Sequence, residues 1–173
     1  MVSRVAILGT GLIGASIGLA ARAAGASVRG FDTDAGALAV AAERGAVEPA
    51  ATLGEAVRDA ELAVAAGPVA SLPAQVREIL AVSDATVTDV GSTKGAVCSA
   101  VDDGRFIGGH PIAGAESHGP EHARADLFAG ATWLLAPSAM SEPERYRLVH
   151  GFVVALGATP VAVDPAAHDR LLA

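Results

Sequence analysis

The chain has one cysteine, Cys98, so no internal disulfide can form. Aromatic residues make up only 3% of its 173 residues, and its arginines are scattered without a cluster. A nucleic-acid surface needs a basic face, and one for single strands also needs stacking rings. Neither is present, and the formal net charge of −7 points the same way. No apolar run reaches the roughly 18–20 residues that a membrane-spanning helix needs. Met1-Val2-Ser3-Arg4 runs straight into an apolar stretch and lacks the layout of a signal peptide. These absences together favour the cytoplasm. Lysine is nearly missing too: Lys94 is the only one among twelve basic residues. A compact ammonium kept where arginine is the rule suggests a positional role, near a substrate or a carboxylate.

What is present is a chain 51% hydrophobic and 18% charged, long enough for one domain with a real core. Short apolar runs alternate with helical stretches throughout. Strands are expected at Arg4 to Leu8, Ser27 to Asp32, Glu61 to Ala66, Ala85 to Val90, Arg105 to Gly108, Thr132 to Ala136 and Thr159 to Val163. Helices are expected at Leu12 to Ala24, Asp34 to Arg44, Leu53 to Ala60, Leu72 to Leu80, Thr93 to Val101 and Glu142 to Leu156. This alternation predicts an α/β fold, a doubly wound and mostly parallel sheet with helices on both faces. Asp164-Pro165 reads as one more helix start, a capping side chain followed by proline. The expected organisation is a domain over 1–163, then the start of a further helical domain over 164–173 that continues beyond this chain.

Gly9-Thr10-Gly11-Leu12-Ile13-Gly14 is a G-x-G-x-x-G between the first strand and the first helix. The first glycine permits the tight turn, the second lets backbone approach a pyrophosphate, and the third allows close helix–strand packing. The helix start at Leu12 and Ile13 adds unpaired N–H groups and a partial positive charge. Asp32 ends the second strand, where a carboxylate can accept hydrogen bonds from an adenosine ribose. The motif therefore predicts a Rossmann-type dinucleotide site. NAD is favoured over NADP, because a carboxylate at Asp32 repels a 2′-phosphate and the turn Phe31-Asp32-Thr33-Asp34 holds no arginine. Gly67-Pro68-Val69 follows a later strand and is placed beside the same ligand.

The stretch from Gly108 to Gly119, G-G-H-P-I-A-G-A-E-S-H-G, is read as a loop too rich in glycine for helix or central strand. Its His110 is the candidate acid/base, since an unperturbed imidazole titrates near neutrality. Ser92 and Thr93 offer hydroxyls at the start of a helix, for capping or for catalysis. His118 and His122 have i, i+4 spacing, but Gly119-Pro120 intervenes, and no metal site is expected. His150 and His168 read as helix-surface residues, Trp133 as core, and Cys98 as packed in its helix.

Four segments together resemble the prephenate dehydrogenases, a family that includes arogenate dehydrogenases. They are G-T-G-L-I-G-A-S at Gly9 to Ser16, T-D-V-G-S-T-K at Thr88 to Lys94, G-G-H-P-I-A-G at Gly108 to Gly114, and A-D-L-F-A-G-A at Ala125 to Ala131. The resemblance implies an NAD-dependent oxidative decarboxylation of prephenate to 4-hydroxyphenylpyruvate, on the route to tyrosine. It implies that His110 bonds the ring hydroxyl and takes its proton, with Ser92 orienting it. Lys94, Gly114 and Glu116 would lie close to the substrate. It also implies a homodimer built through a helical C-terminal domain, and little turnover by this chain alone. Ser117-His118 departs from the pattern of many relatives and leaves prephenate and arogenate as alternatives. The other readings are a different hydride-transfer enzyme of the same sheet class, such as a 3-hydroxyacid dehydrogenase, and a nucleotide-sensing module without catalysis.

Overall fold

A computed structural model describes residues 2–113 and 118–171. These form an eight-stranded sheet of order β3-β2-β1-β4-β5-β6-β7-β8. The strands are β1 (Arg4–Leu8), β2 (Ser27–Phe31), β3 (Glu48–Pro49), β4 (Leu62–Ala65), β5 (Thr86–Asp89), β6 (Phe106–Pro111), β7 (Thr132–Ala136) and β8 (Thr159–Ala162). The helices are α1 (Leu12–Ala23), α2 (Ala35–Glu43), α3 (Leu53–Val57), α4 (Leu72–Val82), α5 (Gly95–Ala100), α6 (Pro143–Ala155) and α7 (Pro165–Leu171).

Strand β1 shows why the central runs are continuously apolar rather than alternating. Its Val5 and Ile7 belong to one core with α1, α2 and α6. Its Ala6 and Leu8 belong to a second core with α3, α4 and α5. A strand covered on both faces must be apolar at every position. The chain leaves β1 through α1 to β2 on one side, and later returns to β4 on the other. That reversal opens a crevice beyond the carboxyl ends of β1 and β4, where ligands bind in such sheets.

Helix α1 lies close to the sheet because its inner face is small. A Cβ on Gly14 would run into the Gly9 carbonyl and meet the Ile7 side chain at 3.1 Å. Asp34 caps α2 by accepting from the Gly36 and Ala37 N–H groups. Asp164 caps α7 through the Ala167 N–H at 2.9 Å.

The sheet is mostly parallel, as expected; β6 and β7 pair antiparallel, with Gly109 opposite Leu135 and His110 opposite Leu134. Two expectations need correction. First, Gly108 to Pro111 is strand, not loop, and it lies inside the sheet between β5 and β7. The glycines there serve packing. A Cβ on Gly109 would sit 2.5 Å from the Asp89 carbonyl oxygen, and one on Gly108 would sit 2.9 Å from Cys98 Sγ. Residues that weaken a strand locally are retained because the neighbouring backbone comes too close for anything larger. Finally, His168 is fully buried, not on the helix surface. The two-residue β3 was not foreseen; its Pro49 is tolerated because β3 is the sheet edge. His150 is exposed and Trp133 is in the core, as expected.

Gly109→Ala should therefore destabilise the fold by about 1–3 kcal/mol through overpacking against backbone. Gly54→Ala, in α3 with open space around it, should be neutral or slightly stabilising. Urea unfolding of both variants checks this; equal stabilities would contradict the close-packing account.

Candidate functional site

The crevice is a cleft of about 1550 Å³ whose lining includes Gly9, Gly11, Leu12, Ile13, Asp32, Pro68 and Ser92. That exceeds the roughly 300–1,000 Å³ typical of a single small-ligand pocket, so it has room for a dinucleotide. Gly9 has φ +105°, and a Cβ there would lie 2.6 Å from the Ala66 backbone. Gly11, by contrast, has nothing within 4 Å of an added Cβ. It is the N-cap of α1 and has no side chain to occupy the first-turn N–H groups, and that turn holds no acidic residue. The result is an open cradle of backbone donors at a helix N-terminus, suited to phosphate. Gly14 lies beneath this cradle rather than in its lining, and its contribution is the close approach already described.

Asp32 is held in place from two sides. Its Oδ2 accepts from the Thr10 N–H at 2.5 Å and from the Thr10 hydroxyl at 3.0 Å, and its Oδ1 accepts from the Asp34 N–H at 2.9 Å. A carboxylate has about four accepting positions. Three are used, so one remains, on a residue that lines the cleft. Arg29, the nearest arginine in sequence, donates instead to the Arg58 carbonyl at 3.2 Å.

The other end of the cleft is built on β5 and β6. Ser92 is exposed there and lines the cleft. Two residues on, Lys94 is fully buried and pairs with the equally buried Asp89. Asp89 Oδ2 also accepts from the Gly91 N–H at 2.9 Å, and its Oδ1 accepts from the Gly109 N–H at 3.0 Å. Burial pushes the Asp89 carboxyl above its ordinary range, against the pull of Lys94 and of these two N–H groups. The compact ammonium thus faces a carboxylate inside the protein.

His110 follows Gly109 directly. It is half-buried and is not among the residues lining the cleft, whereas Val90, Gly91, Ser92 and Ala113 are. Its Nδ1 lies 3.0 Å from His168 Nε2, and His168 Nδ1 lies 2.8 Å from Asp169 Oδ1. Asp169 also caps α5, accepting from the Lys94 N–H at 2.7 Å and the Gly95 N–H at 2.8 Å. Neither Ser92 nor Thr93 caps that helix, which begins two residues later than expected. These N–H bonds, above all the one from Lys94, hold the Asp169 carboxyl below its usual range. Burial, then the neighbouring His168 and Lys94, push His110 down to about 4, against the opposing effect of Asp169.

Gly114 and Glu116 lie outside the described residues. His118 is on the rim of the cleft. His122 Nε2 is 3.7 Å from Glu121 Oε1, and no cluster of metal-ligating side chains occurs among the described residues. Cys98 is part-buried, and burial raises its thiol to about 11. Among the described residues no helix is long and apolar enough to cross a membrane. Sequence reasoning missed His168 and Asp169. Their one local signal is the Asp164-Pro165 helix start, which sets the register of α7 but not the face that packs inward.

Comparison with known proteins decides the family. The model for the prephenate dehydrogenase nucleotide-binding domain matches residues 17–162. The chain belongs to that family. A probable prephenate dehydrogenase from Streptomyces niveus is 36% identical over 96% of this chain and 47% of its own length. The crystal structure of prephenate dehydrogenase from Aquifex aeolicus with hydroxyphenyl propionate and NAD+ superposes with TM-score 0.91 at 26% identity, covering 99% of this chain and 63% of that one. Synechocystis arogenate dehydrogenase superposes with TM-score 0.89 at 27% identity, covering 98% and 62%. The chain spans about half the length of the curated prephenate dehydrogenases it matches. The matched region of the prephenate dehydrogenase domain includes Asp32, Ser92, Lys94 and His110.

Removing one partner of a buried ion pair leaves an uncompensated charge, at about 3–5 kcal/mol. Lys94→Met should lower stability by about that much, and adding Asp89→Asn should restore part of the loss. Chemical denaturation of the single and double variants reads this directly. A Lys94→Met chain as stable as its parent would remove the pair from the architecture.

Proposed function

We propose that this domain binds NAD and supplies the proton-accepting histidine for oxidative decarboxylation of prephenate to 4-hydroxyphenylpyruvate. One observation carries the reading. His110 is tethered through Nδ1 to His168, and Ala113, three residues on, lines the dinucleotide-sized cleft, an arrangement that leaves Nε2 for a substrate. The N–H groups at the start of α1 would hold the pyrophosphate, and Asp32 the adenosine ribose. The free accepting position on Asp32 suits a 2′-hydroxyl and repels a 2′-phosphate, which favours NAD over NADP. NAD, when bound, supplies the hydride acceptor.

His110 is the base. As hydride leaves the carbinol carbon and the ring loses carbon dioxide, His110 Nε2 takes the proton of the ring hydroxyl. The aromatic oxygen then takes that proton back, so no net proton is released. Ser92, exposed in the lining of the cleft, would orient the hydroxyl. A second reading, arogenate as substrate, is supported by the comparable likeness to the Synechocystis enzyme. The two substrates differ in the side chain, keto group against amine, at the opposite end of the ring from the hydroxyl that His110 would hold.

Two outcomes follow for the cofactor and the base. Asp32→Ala should weaken NAD binding about 10–100-fold, the worth of a hydrogen bond to a charged group. It should weaken NADP binding much less, so calorimetric titration with both cofactors decides the point. His110→Asn, made in the full reading frame that encodes this chain, should keep NAD affinity and lower the rate with prephenate about 10²–10⁴-fold. An unchanged rate would remove His110 from the chemistry.

The pH profile has a definite sign. The folded pKa of His110 lies below the unfolded value near 6.5, so the unfolded chain binds the proton first as pH falls. Its contribution to stability is whole above about pH 6.5 and is lost on the way down to about 4. The same shift keeps the base neutral, so kcat/KM should stay level to well below about pH 6.5 before its acid limb begins.

A further inference from the structure

The pair of buried His168 and part-exposed Asp169 has no place in the function proposed above, yet it ends on the ring of His110. We infer that His168, oriented by Asp169, is a positioning residue that fixes the tautomer of His110 and keeps Nε2 unprotonated towards the substrate. This rests on the proposed role of His110 as base.

The argument runs outward from Asp169. Its carboxylate can only accept, so the 2.8 Å contact places a proton on His168 Nδ1. A neutral imidazole with a proton on Nδ1 has a lone pair on Nε2. That lone pair faces His110 Nδ1 at 3.0 Å. His110 must then carry its own proton on Nδ1 and donate it, which leaves Nε2 as the basic nitrogen. His110 Nε2 makes no hydrogen bond among the described residues.

Three features keep the arrangement from rotating away. His168 is fully buried, and its ring packs against that of His110 at 5.1 Å between centroids, tilted by 53°. Asp169 is pinned by the Lys94 and Gly95 N–H groups, so its carboxylate cannot swing to solvent without uncapping α5. His110 is fixed in β6 between β5 and β7. The charged and titratable groups facing His110 are His168, Lys94 and Asp169. Of these Asp169 alone favours the imidazolium that forms when His110 takes a proton, and it acts through His168. A histidine held by a second group in this way has its ring orientation and tautomer set together.

The ¹⁵N chemical shifts of the imidazole nitrogens report each histidine's tautomer. In the parent chain, His110 should show the Nδ1–H form. His168→Phe removes the acceptor and should convert His110 to a mixture or to the Nε2–H form. His168→Gln places an amide oxygen where Nε2 was and should restore the Nδ1–H form. In the full reading frame, the Phe variant should lose at least about tenfold in kcat with unchanged NAD affinity, and the Gln variant should recover most of it. An Nε2–H tautomer in the parent protein overturns the inference even if a variant fails to fold. So does an Nδ1–H tautomer that persists in the Phe variant. The rate of His110→Asn tests the base itself, so a failure there is distinct from a failure here.

Discussion

Asp89 and Lys94 meet with no access to water, and much of the reactive end of the molecule hangs on that contact. Taking both charges out of water costs several kcal/mol each, which attraction offsets only when the remaining hydrogen-bonding positions are filled. Here the chain's own backbone satisfies both carboxylate oxygens: Gly91 N–H on one and Gly109 N–H on the other. The pair therefore fixes the end of β5, the turn carrying Ser92, the residue before α5 and the strand position just before His110. Space is tight at both contacts, and at Gly109 it is backbone that excludes a side chain. A Cβ on Gly91 would meet Leu72 Cδ1 at 2.5 Å, and one on Gly109 would meet the Asp89 carbonyl at the same distance.

A second tether reaches the same place from the far end of the chain. Asp169 caps α5 at Lys94 and Gly95 and, through His168, holds the ring of His110. The buried pair sets where the backbone of His110 lies, and the His168–Asp169 pair sets how its ring is turned. The cofactor end is simpler: one glycine turn, one open helix N-terminus and one carboxylate anchored by Thr10.

That difference explains what the sequence revealed and what it withheld. The G-x-G-x-x-G turn, Asp32 and the cap at Asp34 are local: spacing and residue type suffice to place them. The doubly wound architecture followed from alternation, and β1, β2, β4 and β5 differ from expectation by a residue or so at their ends. Lys94 drew notice by scarcity, and a carboxylate was among its foreseen partners. The strand character of Gly108 to Pro111 was hidden because glycine there is imposed by β5 and β7, not by a turn. His168 and the Asp169 cap were hidden because their partners lie 58 and 75 residues away in sequence. No local pattern reports which face of α7 turns inward.

The central claim is that His110 presents Nε2 to the hydroxyl of a ring substrate while His168 holds its other nitrogen. A crystal structure of the full reading frame with NAD and 4-hydroxyphenylpyruvate tests it most directly. The account predicts the phenolic oxygen within about 2.6–3.2 Å of His110 Nε2, with Nδ1 still on His168 and the pyrophosphate at the start of α1. A phenolic oxygen bound by another group, or a His110 ring turned with Nδ1 towards the ligand, would contradict it.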